Sequence, residues 1–388
     1  MTKIIISGGG TGGHVFPAIA IANAIKAKRP DADILFIGAR GKLEMEKVPA
    51  AGYRIEGLDI AGFHRRLIVK NLSFPFKLIR SMIRARKLVS EFGPDAVIGV
   101  GGYASGPVLR TAISMHIPAL IQEQNSYPGV TNRLLAGKVQ KICVAYEGMD
   151  RFFPKEKIVF TGNPIRQDLE GMKDGRIEGM KDGRIEGMKG RRNEGLKVFG
   201  LSEGKTTVLV LGGSLGAGTI NKSVVECLTV KKPGDKVQWF WQCGKYYFES
   251  LDAELRASSI IPHKDVHLHA FIDRMDLAYA AADIVISRAG AIAISELCAA
   301  AKPVILVPSP NVAEDHQMKN AMALSERRAA LLLKDSEAVE KLPGMLDLLI
   351  QDGRMQDELK KNISAMAVTD AAERIAAEAF KLIKNTKE

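Results

Sequence analysis

The stretch Ile4-Ile5-Ile6-Ser7-Gly8-Gly9-Gly10-Thr11-Gly12-Gly13-His14-Val15-Phe16-Pro17-Ala18 decides the fold of this chain. Lys3 to Ile6 is too short for a helix but rich enough in β-branched residues for a buried strand. Five of the six residues from 8 to 13 are glycines, which let the backbone approach a ligand and adopt positive φ. Pro17 is typical of the first turn of a helix. A strand, a glycine loop and a helix N-terminus together predict an anion-binding site.

The glycine spacing alone leaves the ligand open. Residues 8–13 fit the dinucleotide pattern G-x-G-x-x-G, which expects an acidic residue about 20 positions later, after the second strand. The second strand, Ile34 to Ile37, runs into Gly38-Ala39-Arg40 with no acid at its end, so the sequence argues against NAD. His14 directly follows the loop, where a bound anion would lie, and we interpret it as functional rather than as a helix cap.

Length, composition and net charge limit the classes of protein to which this chain can belong. A length of 388 residues predicts two domains, and 46% hydrophobic residues suffice for full cores. No apolar run approaches the length of a membrane span, and the N-terminus enters a strand without a signal-peptide pattern. Four scattered cysteines without a C-x-x-C pair are typical of reduced thiols in the cytoplasm. The net charge of +11 favours an anionic partner: nucleic acid, acidic lipid or a phosphorylated substrate.

Strand-like runs alternate with helical patterns from end to end, which predicts an α/β protein with parallel sheets. The pattern of a strand, a glycine loop and a helix recurs along the chain. A second glycine turn, Gly101 to Pro107, follows a strand, and a third, Gly212 to Ala217, opens the second half of the chain. Four polar residues, Gln122 to Asn125, follow strand Ala119–Ile121, where α/β proteins bind ligands. We place an interdomain hinge at Thr161–Arg166.

Residues 170–177 recur identically as 178–185, and the repeat starts a third time at 186–189. The glycines in each unit weaken any helix. We interpret the repeat as a solvent-exposed insertion in a linker, without chemistry. Excision of one eight-residue unit should therefore be tolerated.

Residues 64–90 carry eight Lys or Arg side chains and no Asp or Glu, with bulky apolar residues among them. This composition is typical of an element that lies on a membrane surface. An amphipathic helix with its apolar face packed inward has the same pattern, and periodicity does not separate the two. The cations are Arg65, Arg66, Lys70, Lys77, Arg80, Arg84, Arg86 and Lys87.

Six motifs, in order along nearly the whole chain, resemble those of one enzyme family. The chain is similar to the peptidoglycan N-acetylglucosaminyltransferases of the MurG type, from which the 170–197 repeat departs as an insertion. The motifs are Gly9-Gly10-Thr11-Gly12-Gly13-His14, Gly101-Gly102-Tyr103-Ala104-Ser105-Gly106-Pro107, Gln122-Glu123-Gln124-Asn125, Gly162-Asn163-Pro164-Ile165-Arg166, Gly212-Gly213-Ser214-Leu215-Gly216-Ala217, and Arg288-Ala289-Gly290 through Ser295-Glu296.

The resemblance implies a GT-B fold, in which two Rossmann-like α/β domains face each other across a cleft. It implies an acceptor- and membrane-binding domain of residues 1–165, against which a C-terminal helix at 371–388 packs. Residues 166–200 would form the linker with the repeat, and residues 201–370 the UDP-GlcNAc-binding domain.

The activity implied is transfer of GlcNAc from UDP-GlcNAc to the 4-hydroxyl of MurNAc in undecaprenyl-diphosphate-MurNAc-pentapeptide (lipid I), giving lipid II. The resemblance thus implies a part in cell-wall biogenesis, cell shape and cell division. The expected location is the cytoplasmic face of the bacterial plasma membrane, as a peripheral protein held by residues 64–89 on anionic lipid.

Site residues follow from the resemblance position by position. Thr11, His14, Tyr103 and Ser105 would hold the acceptor diphosphate. In the donor site Ser214 would bind diphosphate, the backbone of Ile272 the uracil, and Glu296 the ribose hydroxyls, while Asn125 and Gln317 would contact the sugar and Arg166 would complete the site. The full donor set is Thr11, Gly12, Gly13, Asn125, Arg166, Ser214, Ile272, Ala291, Ser295, Glu296 and Gln317.

The chemistry agrees with the residues. Inverting transfer needs one general base near the acceptor, and an imidazole, whose ordinary pKa is near neutral, suits His14 to that role. Glu123, at the end of its strand, is the alternative base. A helix N-terminus can stabilise the departing diphosphate, and no Asp-x-Asp stands at a strand end to hold a divalent ion, so we expect neither metal nor cofactor.

Two rival functions remain open at this point. A nucleotide-sugar 2-epimerase has the same two-domain architecture but needs no acceptor and no membrane-directed segment. A nucleic-acid binder would explain the charge, but aromatics are only 6% and no stacking motif or helix-turn-helix signature is present, so we expect no nucleic-acid partner.

Overall fold

The computed structural model describes residues 1–60, 74–165, 169, 181–213, 216–230, 236–261, 263–312 and 315–387. Side chains are described from residue 76 in the range 74–165, from residue 190 in the range 181–213, and up to residue 384 in the range 315–387. The chain divides into two compact units. Unit 1 comprises residues 1–167 and 368–388, and unit 2 comprises residues 168–367.

A seven-stranded sheet forms the centre of unit 1, and all its strand pairs are parallel. Its strands are β1 (Lys3–Ser7), β2 (Asp33–Ala39), β3 (Arg54–Leu58), β4 (Ala96–Gly99), β5 (Ala119–Glu123), β6 (Lys141–Val144) and β7 (Ile158–Phe160). The order across the sheet is β3-β2-β1-β4-β5-β6-β7. The order therefore reverses direction between β1 and β4, and a doubly wound sheet binds its ligand outside the carboxyl ends of the strands at such a switch point.

Helices cover both faces of this sheet. They are α1 (Gly12–Lys28), α2 (Glu44–Ala50), α3 (Phe74–Phe92), α4 (Ser105–Ser114), α5 (Val130–Leu135) and, from the end of the chain, α14 (Ala371–Lys387). Successive residues of β1 point to opposite faces, so Ile4 packs with α1 and α14, whereas Ile5 packs with α3 and α4. On the first face Ile25 of α1 and Ile375 of α14 share one core.

Helix α1 begins earlier than the sequence predicts. It starts at Gly12, so Pro17 lies in its second turn rather than in the first. Proline at that place removes one hydrogen bond within the helix. The early start brings Gly12, Gly13 and His14 into the first helical turn, directly beside the glycine loop.

Unit 2 is built on a six-stranded parallel sheet. Its order is β10-β9-β8-β11-β12-β13, with the switch point between β8 and β11; the strands are β8 (Thr206–Leu211), β9 (Val237–Gln242), β10 (Val266–His269), β11 (Ile284–Ser287), β12 (Val304–Leu306) and β13 (Leu331–Leu332). Its helices are α6 (Lys181–Val198), α7 (Gly218–Val230), α8 (Phe248–Ala257), α9 (Met275–Ala281), α10 (Ala291–Ala300), α11 (His316–Ser325), α12 (Ala338–Gln351) and α13 (Gly353–Ala365). The predicted α/β class with two parallel-sheet domains is confirmed.

The interpretation of the 170–197 insertion as an unpacked, solvent-exposed linker is wrong for its last residues, which follow the repeat units. Residues 170–180 lie outside the described residues, but α6 covers 181–198 as one helix. Gly195 is buried against α9, because a Cβ there would lie 2.6 Å from the Leu277 carbonyl oxygen. Arg192 donates to the Ala281 carbonyl at 2.8 Å and to Asp283 Oδ2 at 3.0 Å. The glycine that weakens the isolated helix therefore permits close packing of two helices.

Helix α3 presents apolar side chains on two opposite faces. Ala85, Leu88 and Val89 are buried in the core of unit 1, whereas Phe76, Ile79 and Ile83 are 73%, 59% and 66% exposed. The rest of the predicted segment, residues 64–73 with Arg65, Arg66 and Lys70, lies outside the described residues. In the described ranges no helix combines the length and apolar character needed to cross a bilayer.

Candidate active site

Two glycine loops meet at the switch point of unit 1. The loop after β1 contacts the loop after β4, since the Gly9 amide donates to the Gly101 carbonyl at 3.3 Å. Gly101 and Gly102 have positive φ of 86° and 83°, and a Cβ on Gly102 would lie 2.9 Å from the Gly9 nitrogen. Only glycine fits at position 102 in this backbone contact.

His14 stands in the first turn of α1 over this contact. Its Nδ1 lies 3.2 Å from Thr11 Oγ1, and its backbone amide donates to the Thr11 carbonyl at 3.1 Å. The ring rests on Gly101, where an added Cβ would lie 3.0 Å from Nε2. When Nδ1–H donates to Thr11, Nε2 is the unprotonated ring nitrogen, which is the form that a general base needs. The amides of Gly12 and Gly13, at the positive end of the helix, have no carbonyl to bond within it.

The two remaining predicted acceptor contacts differ in exposure. Tyr103 is 51% exposed beside the second loop. Ser105 is fully buried, and its Oγ has no hydrogen-bond partner among the described residues. Ser105 opens α4, so its backbone amide has no carbonyl to bond within that helix.

Glu123 is enclosed by donors. Its Oε1 accepts from the Asn125 amide at 3.0 Å and from Asn125 Nδ2 at 3.2 Å. Its Oε2 accepts from the Gly129 amide at 3.1 Å and from Asn132 Nδ2 at 2.7 Å. The side chain is buried, and desolvation raises the pKa of the carboxyl, opposed by these hydrogen bonds. Four donors on two oxygens make Glu123 an anchor for the loop that carries Asn125.

The neighbouring polar residues form a second network within unit 1. Gln122 Nε2 donates to Asn163 Oδ1 at 3.0 Å, and Asn163 Nδ2 donates to the Gln124 carbonyl at 2.9 Å. Gln124 Nε2 donates to the Val100 carbonyl at 2.7 Å and also contacts Gln122 Oε1. This network fixes the strand ends beside the two glycine loops.

Sequence reasoning missed Glu44, the first residue of α2. Its carboxylate is buried, with 1% of the residue exposed, and it accepts from the Gly10 amide at 2.8 Å and the Ala39 amide at 2.9 Å. The signal available in the sequence was weak, because an acidic residue in the first turn of a helix is ordinary.

Unit 2 has its own glycine loop at the β8–β11 switch point. Ser214 lies outside the described residues, as does Arg166. Gly213 and Gly216 both have φ of 80°, and Gly216 packs so closely on Tyr247 and the Cys243 carbonyl that a Cβ would overlap them. The loop leads into the N-terminus of α7.

Gln242 ties this loop to Ile272. Gln242 Nε2 donates to the Gly213 carbonyl at 3.3 Å, while the Ile272 amide donates to Gln242 Oε1 at 2.9 Å. Sequence reasoning named Ile272 but missed Gln242, which is the last residue of β9 and 5% exposed.

Helix α10 carries three of the residues predicted to bind UDP-GlcNAc. Gly290 caps it, Ala291 begins it, and Ser295 Oγ donates back to the Ala291 carbonyl at 3.1 Å. Glu296 follows, 6% exposed, and its Oε2 accepts from the Tyr279 hydroxyl at 3.3 Å.

Gln317 in α11 fixes the entry to α10. Its Oε1 accepts from the Ala289 amide at 3.2 Å and from the Ser309 amide at 2.9 Å. Arg288 pairs with Asp335, whose Oδ2 accepts from Thr219 Oγ1 at 2.9 Å. This pair links the strand end before α10 to the first turn of α7.

Both halves of the chain match known families. Residues 4–144 match the glycosyltransferase family 28 N-terminal domain, and residues 207–375 match the glycosyltransferase family 28 C-terminal domain. Curated relatives are 52% identical over 380 residues in Bacteroides thetaiotaomicron (98% of this chain, 97% of that one) and 48% identical over 385 residues in Flavobacterium psychrophilum (99% of each). Both are named UDP-N-acetylglucosamine–N-acetylmuramyl-(pentapeptide) pyrophosphoryl-undecaprenol N-acetylglucosamine transferase.

Solved structures share the architecture. The crystal structure of MurG from Acinetobacter baumannii has a TM-score of 0.75 at 26% identity and covers 98% of this chain and 100% of that one. A UDP-GlcNAc 2-epimerase from Neisseria meningitidis has a TM-score of 0.64 at 13% identity, covering 98% and 100%, which is a likeness of fold alone.

Proposed function

The chain belongs to glycosyltransferase family 28, and from that premise we propose that it makes lipid II. It transfers GlcNAc from UDP-GlcNAc to the 4-hydroxyl of MurNAc in the undecaprenyl-diphosphate-linked pentapeptide, a step of peptidoglycan synthesis. The family predicted from the motifs is confirmed. The observation that carries the function is the 52% identity, over 98% of this chain, to a relative named for this transfer.

Unit 1 takes the acceptor in this proposal. The amides of Gly12 and Gly13 at the start of α1 supply donors and a positive dipole end for the acceptor diphosphate. His14 in the same turn removes the proton from the 4-hydroxyl through Nε2, with Nδ1–H held by Thr11. Thr11, with Tyr103 and the Ser105 amide, completes the diphosphate contacts.

His14 is a better base than Glu123. A base must reach the substrate hydroxyl, and both oxygens of Glu123 are already occupied by donors from Asn125, Gly129 and Asn132. We assign Glu123 to positioning the loop of Asn125, which contacts the sugar.

Unit 2 takes UDP-GlcNAc. Glu296 accepts from the ribose hydroxyls, and the carbonyl of Ile272 accepts from the uracil imide, since its amide is bonded to Gln242. Gln317 supports the sugar contacts together with Ala291 and Ser295, and Arg166 and Ser214 complete the set. The α7 N-terminus, next to the glycine loop, stabilises the leaving diphosphate. One displacement at the anomeric carbon then converts the α-linked donor into a β-linked product.

Helix α3 docks unit 1 on the membrane that holds the acceptor. With 100° between residues, Phe76, Ile79 and Ile83 fall on one face together with Arg80 and Arg86, and all five are exposed. Exposed apolar and basic side chains on one helical face fit an anionic bilayer. Arg84 differs, because its Nη2 donates to Glu56 Oε2 at 2.9 Å. We propose a peripheral location on the cytoplasmic leaflet.

A transfer assay tests the function. Purified protein, labelled UDP-GlcNAc and undecaprenyl-diphosphate-MurNAc-pentapeptide should give a labelled lipid product, and omission of the acceptor should abolish the labelled lipid. Formation of UDP-ManNAc without acceptor, and no labelled lipid with it, would instead support the epimerase whose fold is shared.

A further inference from the structure

Glu44 occupies an anion position inside unit 1. Its carboxylate lies between the end of β2 and the glycine loop, and its hydrogen-bond partners in the described part of the chain are two backbone amides, those of Gly10 and Ala39. Among the described residues no cation pairs with this carboxylate, although the residue is 1% exposed. A buried anion is retained only where donors replace its water, so these two amides are directed at Glu44.

Two glycines make room for this carboxylate. A Cβ on Gly9 would overlap the Glu44 carboxylate, and a Cβ on Gly38 would lie 2.5 Å from Glu44 Cγ. A dinucleotide-binding site carries an acidic residue at the end of its second strand. Here Gly38 lies near the end of β2 and leaves room for the side chain of Glu44, which belongs to α2.

The Gly9–Gly10 backbone, which contacts Glu44, adjoins both groups that support the His14 ring. Gly9 bonds to Gly101, His14 rests on Gly101, and Gly10 immediately precedes Thr11, which contacts the His14 ring. A change in the Gly9–Gly10 backbone would therefore move both supports of the imidazole. The Gly10 amide also points at Glu44, which leaves the amides of Gly12 and Gly13 for an external anion.

We propose that Glu44 is a positioning residue for the transfer reaction, which holds the glycine loop so that His14 and the α1 N-terminus face the acceptor. The inference rests on the proposed function. It predicts an effect on turnover and on the acceptor, with donor binding in unit 2 unchanged.

The test uses Glu44→Gln in the full chain, with Glu46→Gln as control, because the Glu46 side chain on the same helix is 73% exposed. Glutamine keeps the shape but places an amide donor against a backbone donor. We expect kcat to fall roughly 10- to 100-fold and the acceptor KM to rise, because small misplacements of a catalytic group are costly. The donor KM and calorimetric UDP binding should stay unchanged. The control should match the wild type.

A spectroscopic readout separates this proposal from the proposed function. In ¹⁵N-histidine-labelled protein the His14 ring signals should shift in Glu44→Gln and not in Glu46→Gln, whether or not lipid acceptor is a substrate. Glu44→Asp, which keeps the charge but shortens the reach, is measured in parallel and decides the question if the glutamine variant does not fold. Unshifted His14 signals with kcat within about twofold of the wild type would overturn the assignment. Absence of transfer by wild type would overturn only the proposed function.

Discussion

A Cβ atom on Gly101 would lie 2.9 Å from Cδ2 of His14, so the imidazole rests directly on a residue without a side chain. The contact joins the two glycine loops of unit 1 to the first turn of α1. It leaves the orientation of the ring dependent on backbone atoms, which move less than side chains. Such fixed support suits a group that must meet a substrate hydroxyl in one geometry.

His14→Ala should lower kcat by about 10²- to 10⁴-fold, the usual range for loss of a general base. In the wild type, activity should fall as the pH drops and the imidazole takes up a proton, and this acid limb should disappear in the variant. Steady-state kinetics between pH 5.5 and 9, an assay window of about 3.5 units around the imidazole pKa, measure both. The control is His116→Asn, an exposed histidine of unit 1 with φ of 58°, a conformation that asparagine tolerates. A folded His14→Ala with near-native turnover would remove His14 from the role.

Glu296→Ala should weaken donor binding by about 10²- to 10⁴-fold, since two hydrogen bonds to a charged group are lost and each is worth about 1.5–3 kcal/mol. The variant should also discriminate less between UDP-GlcNAc and its 2′-deoxyribose analogue. Tyr279→Phe, which removes only the hydroxyl that donates to Glu296, should have a smaller effect. Calorimetric titration with both donors is the measurement, and unchanged affinity in Glu296→Ala would contradict the ribose assignment.

Replacing Arg80 and Arg86 by Gln should weaken binding to anionic vesicles by about 30-fold, because each cation near the surface contributes about 1 kcal/mol. The loss should be larger at low salt. Sedimentation with phosphatidylserine vesicles measures it, with turnover on a soluble acceptor as a check of folding. Arg29 and Lys155, exposed cations elsewhere on unit 1, supply the charge-matched control. Equal vesicle binding by both double variants would exclude α3 as the docking face.

Gly195→Ala should destabilise unit 2 by about 1–3 kcal/mol, because the new methyl group would lie 2.6 Å from the Leu277 carbonyl oxygen and 3.2 Å from Ala281 Cβ. Gly190→Ala is the matched control in the same helix, since Gly190 is exposed and a Cβ there meets nothing within 4 Å. The control should stabilise by about 0.5–1 kcal/mol. Urea unfolding of both proteins decides whether α6 is packed: equal shifts would show that it is not.

Lys302 should make stability depend on alkaline pH. Burial lowers its pKa to about 8, and its Nζ donates to the Ala282 carbonyl at 2.6 Å. Between about pH 8 and the unfolded value of about 10.4, only the unfolded chain holds this proton, so the free energy of unfolding rises with pH. The wild type should gain about 1–3 kcal/mol relative to Lys302→Met from pH 7.5 to 10.5, measured by urea unfolding, within the linkage limit of about 3 kcal/mol. Parallel pH curves for the two proteins would contradict the shifted pKa.

The sequence predicts what depends on neighbouring residues and misses what depends on distant ones. The first strand and its glycine loop follow from one local pattern, which also predicts a functional role for His14, and the second glycine loop follows from a similar pattern at residues 96–107. Glu44 could not be found in this way, because its partner Gly10 lies 34 residues away and an acidic residue in the first turn of a helix is ordinary. Nothing near Glu123 in the sequence shows that Asn132 occupies it.

The structure differs from the sequence-based expectation at α1 and at α6 for the same physical reason. Pro17 and Gly195 disfavour a helix when only their own segments are considered. In the folded chain Pro17 is buried in the core of unit 1 and Gly195 is buried against α9, and tertiary packing outweighs the local cost.

The position of α14 has a consequence for the biosynthesis of the protein. Ile375, Ala376 and Ala379 share a core with Ile21 and Ile25 of α1, although some 350 residues, including all of unit 2, separate them along the chain. During translation unit 2 can complete its sheet while the opening strands still lack their last helix. Unit 1 must therefore wait during translation with one face of its sheet partly uncovered, until α14, which follows all of unit 2 along the chain, has been synthesised.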